Sequence, residues 1–167
     1  MGFNNYFRFH VRHDAAVPLL SASLVPWREI KAKRRTQTDW EVYPAGIGEV
    51  LDRLRIEYGN PPVYVTENGC ASAEVVENGR VHDPERIEYL RDYLTECHHA
   101  IERGADLRGY FLWSFLDNFE WADGLSKRFG IVHTDYGTLK RTRKDSARWY
   151  QNTIGRNAVQ PGDGRAY

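Results

Sequence analysis

The sequence predicts an α/β chain built on parallel strands, and three observations carry that reading. Runs at residues 3–11, 63–66 and 109–114 are rich in aromatic and β-branched residues, the composition of strands. Between them lie two runs with the 3.6-residue apolar period of helices. A strand–helix–strand–helix–strand order leaves connections too long for hairpins, so the strands run parallel through right-handed crossovers. At 167 residues the chain has room for one domain, and 41% hydrophobic with 28% charged residues is the balance of a globular protein.

The elements follow in order. After the first strand, residues 13–37 read as irregular, with Pro18, Pro26 and the basic run Lys31-Ala32-Lys33-Arg34-Arg35, expected to be a solvated loop. Ile47, Val50, Leu51, Leu54 and Tyr58 share one helical face, Gly59 ends that helix, and Pro61-Pro62 prevents its resuming. Asp83-Pro84 marks the start of a second helix, whose buried stripe is Ile87, Leu90, Leu94, Cys97 and Ile101 and which Gly104 closes. The strand at 109–114 is apolar on both faces, as in a buried parallel sheet. Residues 129–132 suggest a short strand or bulge, and Thr142 with Asp145 resembles a capping box opening a last helix through about Ile154. The polar stretch 155–167 is expected to fray.

Several function classes are disfavoured. Lys plus Arg and Asp plus Glu both number 23, so the basic excess of a nucleic-acid or anionic-membrane binder is missing. No apolar run approaches the roughly 20 residues of a membrane span, and the start of the chain lacks a signal-peptide pattern. Cys70 and Cys97 form no CxxC pair, which with the preceding points suggests a reduced, cytoplasmic setting. His98 and His99 are adjacent on a helix and cannot face one metal together, and the other histidines are scattered. No nucleotide, metalloprotease or serine-hydrolase motif occurs, so neither a metal nor a cofactor is expected.

In parallel α/β folds the active groups sit at the carboxyl ends of the strands. Three features fall there: Glu67 after 63–66, an aromatic and acidic cluster after the third strand, and Asn4 with Tyr6 on the first. Asn68-Gly69 also fits a hairpin turn that leaves Glu67 merely exposed, although the run after Gly69 offers no partner strand. A carboxylate at a strand end is otherwise a plausible nucleophile or base. The rings Trp113, Phe115, Phe119 and Trp121 could all be core, yet Asp117, Asn118, Glu120 and Asp123 are interleaved with them. Such mixing is costly to bury without partners. A polyhydroxylated ligand supplies them, stacking its C–H faces on indoles and bonding its hydroxyls to carboxylates.

These residues also carry a family resemblance. Val63-Tyr64-Val65-Thr66-Glu67-Asn68-Gly69 is similar to the [IV]-x-[IV]-T-E-N-G motif of family 1 glycoside hydrolases, and the nine residues from Trp113 to Trp121 to their W-S-x-x-D-N-F-E-W segment. Residues 126–130, 140–146 and 40–46 match further stretches, and Gly2-Phe3-Asn4-Asn5-Tyr6 resembles G-[IV]-N-Y-Y with Asn5 in place of an aromatic residue. The resemblance implies a (β/α)8 TIM barrel, of which residues 1–154 are the C-terminal part, about strands six to eight. It implies retaining hydrolysis of terminal non-reducing β-D-glucosyl residues. Glu67 is then the nucleophile and Tyr6 its hydrogen-bond donor, with Asn4 beside the site. Glu120 clamps two sugar hydroxyls, Trp121 bonds another, Trp113 is the stacking floor, Phe129 a wall, and Trp40 lies toward the aglycone.

In the phosphoglucosidase branch of that family the loop after the third strand carries a Ser and Lys pair that grips the phosphate, whereas here it reads Glu120-Trp121-Ala122-Asp123-Gly124, so the resemblance implies an unphosphorylated β-glucoside or oligosaccharide, with β-galactosides or β-fucosides as cross-substrates. The match also lacks one part. A retaining glycosidase needs a second carboxyl group as acid, carried in this family by T-x-N-E-P, and no Asn-Glu-Pro occurs here. A barrel of this kind takes about 250 residues. The chain alone is therefore expected to be inactive. It could be one half of a split enzyme, pairing with an N-terminal barrel half, or a non-catalytic sugar-binding remnant.

Overall fold

The computed structural model describes residues 1–159. At its centre is a three-stranded parallel sheet in the order β1 (Gly2–Asn4), β4 (Val63–Asn68), β7 (Leu107–Leu112). Three small antiparallel pairs surround it: β2 (Val11–His13) with β3 (Ala22–Leu24), β5 (Val75–Glu77) with β6 (Arg80–His82), and β8 (Val132–Thr134) with β9 (Arg141–Arg143). Helices α1 (Ala45–Glu57), α2 (Pro84–Glu102) and α3 (Asp145–Arg156) complete the described residues.

The parallel crossovers are those the sequence predicts, and alternation along β4 explains the packing. Val63 and Val65 point into the core, where they meet Ile47 and Leu51 of α1, Leu90, Tyr93 and Cys97 of α2, and Trp149 of α3. Tyr64 and Thr66 point the other way and are exposed. Gly59 and Gly104 end α1 and α2 with φ of 72° and 96°, conformations that side-chain-bearing residues adopt only at a cost.

Several expectations are corrected. The first strand stops at Asn4 rather than Val11, because the chain leaves the sheet after Asn5 N–H bonds Glu67 O at 2.9 Å. Residues 11–13 instead join 22–24 in a hairpin within the segment expected to be irregular. The third strand runs over 107–112 and is not buried on both faces: Phe111 is 58% exposed, since the helices cover only one side of the sheet. On the helices, Tyr58 and Ile101 lie exposed, and Arg86, Tyr89 and Tyr93 take buried places that the aliphatic stripe did not include. The basic run is not simply solvated, for Arg34 pairs with Glu88 at 2.8 Å and Asp92 at 2.5 Å on α2. Thr142 caps nothing; it lies in β9, and α3 starts after Lys144. Gly155 and Arg156 belong to α3, while residues 160–167 of the expected tail lie outside the described residues.

A buried ionic cluster fastens the loops at the carboxyl end of the sheet. Lys144, fully buried, places its Nζ 2.5 Å from Glu74 Oε2 and 2.8 Å from Asp117 Oδ1. Asp117 also meets Arg128 at 2.7 Å and accepts the Gly130 N–H at 3.0 Å, and Glu74 meets His133 Nδ1 at 2.6 Å. Removing one member of such a set strands the opposite charge without solvent. Lys144→Met is therefore expected to lower unfolding free energy by about 3–5 kcal/mol, read by urea denaturation; a loss under about 1 kcal/mol would contradict a buried, doubly paired ammonium.

Candidate active site

The three parallel strands end side by side, and each delivers one part of the site. Asn4 closes β1 and stands beside β4, where its Oδ1 accepts the Thr66 hydroxyl at 2.7 Å. Glu67 is the next-to-last residue of β4, and its Oε2 accepts the Tyr6 hydroxyl at 2.7 Å. Trp113 follows β7, and its N–H bonds Asn68 O at 2.9 Å. The hairpin alternative for Asn68-Gly69 is ruled out: Asn68 lies within the parallel strand.

Asn68 shows why Glu67 is held in place. Its fully buried amide donates to Asn5 O at 2.6 Å and to the Tyr89 hydroxyl at 3.0 Å, and it accepts the Tyr110 hydroxyl. Gly69 lets the two strand ends close. A Cβ there would stand 1.7 Å from the Trp113 carbonyl oxygen, so no larger residue fits without parting them. Arg86 of α2 binds the loops from below, donating to the carbonyls of Cys70, Phe129 (3.0 Å) and Arg128 (2.9 Å) while Asp83 takes its Nε–H at 2.9 Å. The sequence reading missed Asn68, Gly69 and Arg86 as supports.

Electrostatics join these groups into one site. Burial pushes the Tyr6 hydroxyl well above its usual pKa, and the Glu67 hydrogen bond and the charges of Glu67 and Glu120 add to the shift. Tyr6 therefore remains a proton donor to Glu67. Burial also raises the Glu120 carboxyl; the Trp113 indole N–H bonded to it opposes the rise, and the charges of Asp123 and Glu67 add to it. Glu120, bonded to the Trp113 indole, thus lies within range of the Glu67 charge.

Ring contacts extend that space. Tyr6 lies 5.6 Å from Trp40 and 6.5 Å from Phe129, and Trp40 lies 5.9 Å from Phe129. The structure brings together Tyr6, Glu67, Trp113, Glu120, Trp40 and Phe129, with Asn4 at the edge. Trp121 is different. It is 83% exposed, opens a short turn over 121–123, and takes part in none of these ring contacts. Cys70, three residues after Glu67, is buried, and its thiol is pushed up to about 11 by desolvation. Glu74, Asp117 and His133 offer metal-type ligand atoms within 4.8 Å of one another, but the Lys144 ammonium is already seated against both carboxylates.

Paired carboxylates and aromatic rings at the carboxyl end of a parallel sheet are the equipment of a sugar-handling α/β protein. The Glycosyl hydrolase family 1 model matches residues 1–159, and the chain belongs to that family. It is 46% identical over 161 residues to β-glucosidase A of Thermotoga maritima, covering 96% of this chain and 35% of that protein. It is 46% identical over 138 residues to the bifunctional β-D-glucosidase/β-D-fucosidase of Bifidobacterium breve, covering 80% of this chain and 30% of that protein. The solved family 1 β-glucosidase of Thermotoga maritima superposes with a TM-score of 0.88 at 45% identity, over 96% of this chain and 35% of that one. The same enzyme in complex with deoxynojirimycin gives a TM-score of 0.86 at 45% identity, over 95% and 35%. The chain thus spans about a third of the length of these relatives, and its fold is part of an α/β barrel.

Proposed function

We propose that this chain carries the nucleophile and glucose-binding half of a retaining β-glucosidase, corresponding to about strands six to eight of the barrel. The observation that carries the proposal is the 2.7 Å hydrogen bond from Tyr6 to Glu67, in a carboxylate-and-indole site that includes Glu120 and Trp113. Glu67 attacks the anomeric carbon from one face, and the bond to the leaving oxygen breaks as the glycosyl–Glu67 ester forms. Tyr6 orients the attacking carboxylate and balances its charge. Glu120 accepts hydrogen bonds from two sugar hydroxyls, Trp113 is the stacking floor, Phe129 the wall, and Asn4 lies at the edge. Trp121 reaches a hydroxyl only if its exposed indole folds inward on binding.

The leaving oxygen needs a proton, and the 167 residues contain no Asn-Glu-Pro to give it. The chain alone is accordingly inactive toward ordinary glucosides, and its partner is a segment carrying the first five barrel strands. The open edges of β1 and β7 support this, as does an apolar groove of about 720 Å3 between Phe115, Leu116 and Ile131 on one side and Ala147, Tyr150 and Ile154 of α3 on the other. The substrate is an unphosphorylated β-glucoside, because Glu120 would repel a phosphate. The paired name of the Bifidobacterium breve relative supports β-fucosides as cross-substrates.

The test is complementation. Co-expression with a family 1 segment bearing strands one to five is expected to yield hydrolysis of cellobiose, abolished by Glu67→Gln. An assembled pair that cleaves cellobiose equally well with Glu67→Gln would overturn the proposal. A pH effect follows from Glu120. Its carboxyl gains a proton at higher pH than an ordinary one, and the proton removes an acceptor from the clamp. Glucose affinity of the pair, read by calorimetry, is expected to fall as pH drops through that raised range; Glu120→Gln is expected to flatten the profile and weaken binding roughly tenfold or more.

A further inference from the structure

Tyr93 of α2 is fully buried, at a helical position where a phenylalanine would fill the same space. A phenol there must find a partner for its hydroxyl. It finds two, on two different segments. The hydroxyl donates to the Tyr6 carbonyl at 3.3 Å and accepts the Tyr43 N–H at 3.2 Å. One turn earlier on the same helix Tyr89 stacks on it, with ring centroids 4.3 Å apart at 26°, and the Tyr89 hydroxyl accepts from the Asn68 amide at 3.0 Å. Burial pushes the Tyr93 hydroxyl up to about 12, against opposing hydrogen bonds from Tyr89 and the Tyr43 N–H. Tyr93 therefore keeps its proton at neutral pH and spends it on Tyr6.

The direction of these bonds is fixed at both ends, because an amide N–H only donates and a carbonyl only accepts. They run from Asn68 to Tyr89, from Tyr89 to Tyr93, and from Tyr93 to the Tyr6 carbonyl. The Tyr6 hydroxyl closes the circuit on Glu67 at 2.7 Å, and Glu67 is the residue before Asn68. Tyr6 needs such a tie, since β1 has ended at Asn4 and the chain leaves the sheet after the bond from Asn5 N–H to Glu67 O.

The plainer account is a phenol satisfied by whatever backbone lay nearest. It does not explain which two segments are joined. One carries Tyr6. The other carries Trp40, three residues before Tyr43, whose indole lies 5.6 Å from the Tyr6 ring. Both segments thus set the ring that bonds Glu67. We infer that Tyr93 is a positioning residue for the nucleophile: its hydroxyl fixes the backbone of Tyr6 and, through Tyr6, the orientation of the Glu67 carboxylate. This role rests on the reading of Glu67 as the attacking group.

The test measures how fast Glu67 is labelled by 2-deoxy-2-fluoro-β-glucosyl fluoride in the 167-residue chain. A Glu67 oxygen bonds the anomeric carbon as the C–F bond breaks, and fluoride leaves with the bonding pair. Tyr93→Phe is expected to slow labelling at saturating donor about five- to tenfold, the effect of one buried hydrogen bond. The donor concentration for half-maximal rate is expected to stay within about twofold, because the sugar is held elsewhere, by Glu120 and Trp113. In a Tyr6→Phe background the same substitution is expected to change the rate by less than about twofold, since its effect passes through Tyr6. A merely structural role would slow both backgrounds alike. Labelling at an unchanged rate in folded Tyr93→Phe, or equal slowing in both backgrounds, overturns the inference. If circular dichroism shows Tyr93→Phe unfolded, hydrogen exchange of the unaltered chain decides. The Tyr43 N–H lies outside every helix and strand, yet is expected to exchange as slowly as the core of α2; exchange at the rate of an open loop overturns the inference. An unaltered chain that takes no label overturns the reading of Glu67 and this role with it, whereas a labelled chain indifferent to Tyr93→Phe overturns the role of Tyr93 alone.

Discussion

Two buried cations hold the candidate site in shape, and each ties the loop after Glu67 to the loop after Trp113. Arg86 joins the Cys70 carbonyl to those of Arg128 and Phe129; Lys144 joins Glu74 to Asp117. Burying a guanidinium and an ammonium is costly without partners, and here carboxylates and backbone carbonyls supply them. The gain is geometric. Glu67 and Trp113 sit on neighbouring strands with Gly69 closing the gap, so the carboxylate, the indole and Glu120 are held in a fixed relation before any ligand arrives. Cations drawn from α2 and from the start of α3 also connect the helical layer directly to the chemistry.

Much of this was legible in the sequence for stated physical reasons. The period of 47–58 and 87–101 and the apolar run at 63–66 are local signals, and the parallel crossover follows from connection length alone. Glu67 and the Trp113–Trp121 segment stood out because carboxylates and rings mixed at strand ends are expensive unless a ligand shares the burden. Less legible was whatever depends on distant partners. The first strand looked long because Phe7 and Phe9 have strand composition, yet these rings pack against Trp27 and Trp40 rather than into the sheet. Thr142 and Asp145 carry capping-box chemistry, but Asp145 is taken by His82 at 2.6 Å across 63 residues. Arg86 and Lys144 do not stand out in the sequence, because nothing local reveals that carbonyls and acids converge on them.

The sheet also explains why an intact site and an open surface coexist. Its helix-facing side is packed, whereas Tyr64, Thr66 and Phe111 face away from that core and stand open. Edges and faces of this kind are what a barrel closes by adding strands. Glu67 and Trp113 do not depend on such closure for their mutual geometry, because the ties between their strand ends lie within these residues.

The most direct measurement is chemical trapping of the attacking group. A 2-deoxy-2-fluoro-β-glucosyl donor with a fluoride leaving group needs no acid to depart, so a lone nucleophile suffices to displace it, forming the carboxylate ester and releasing fluoride. Mass spectrometry of the digested chain should place the added fluoroglucosyl mass on Glu67, with none on the Glu67→Gln variant. Label on another carboxylate, or a folded chain that remains unlabelled, would contradict the assignment.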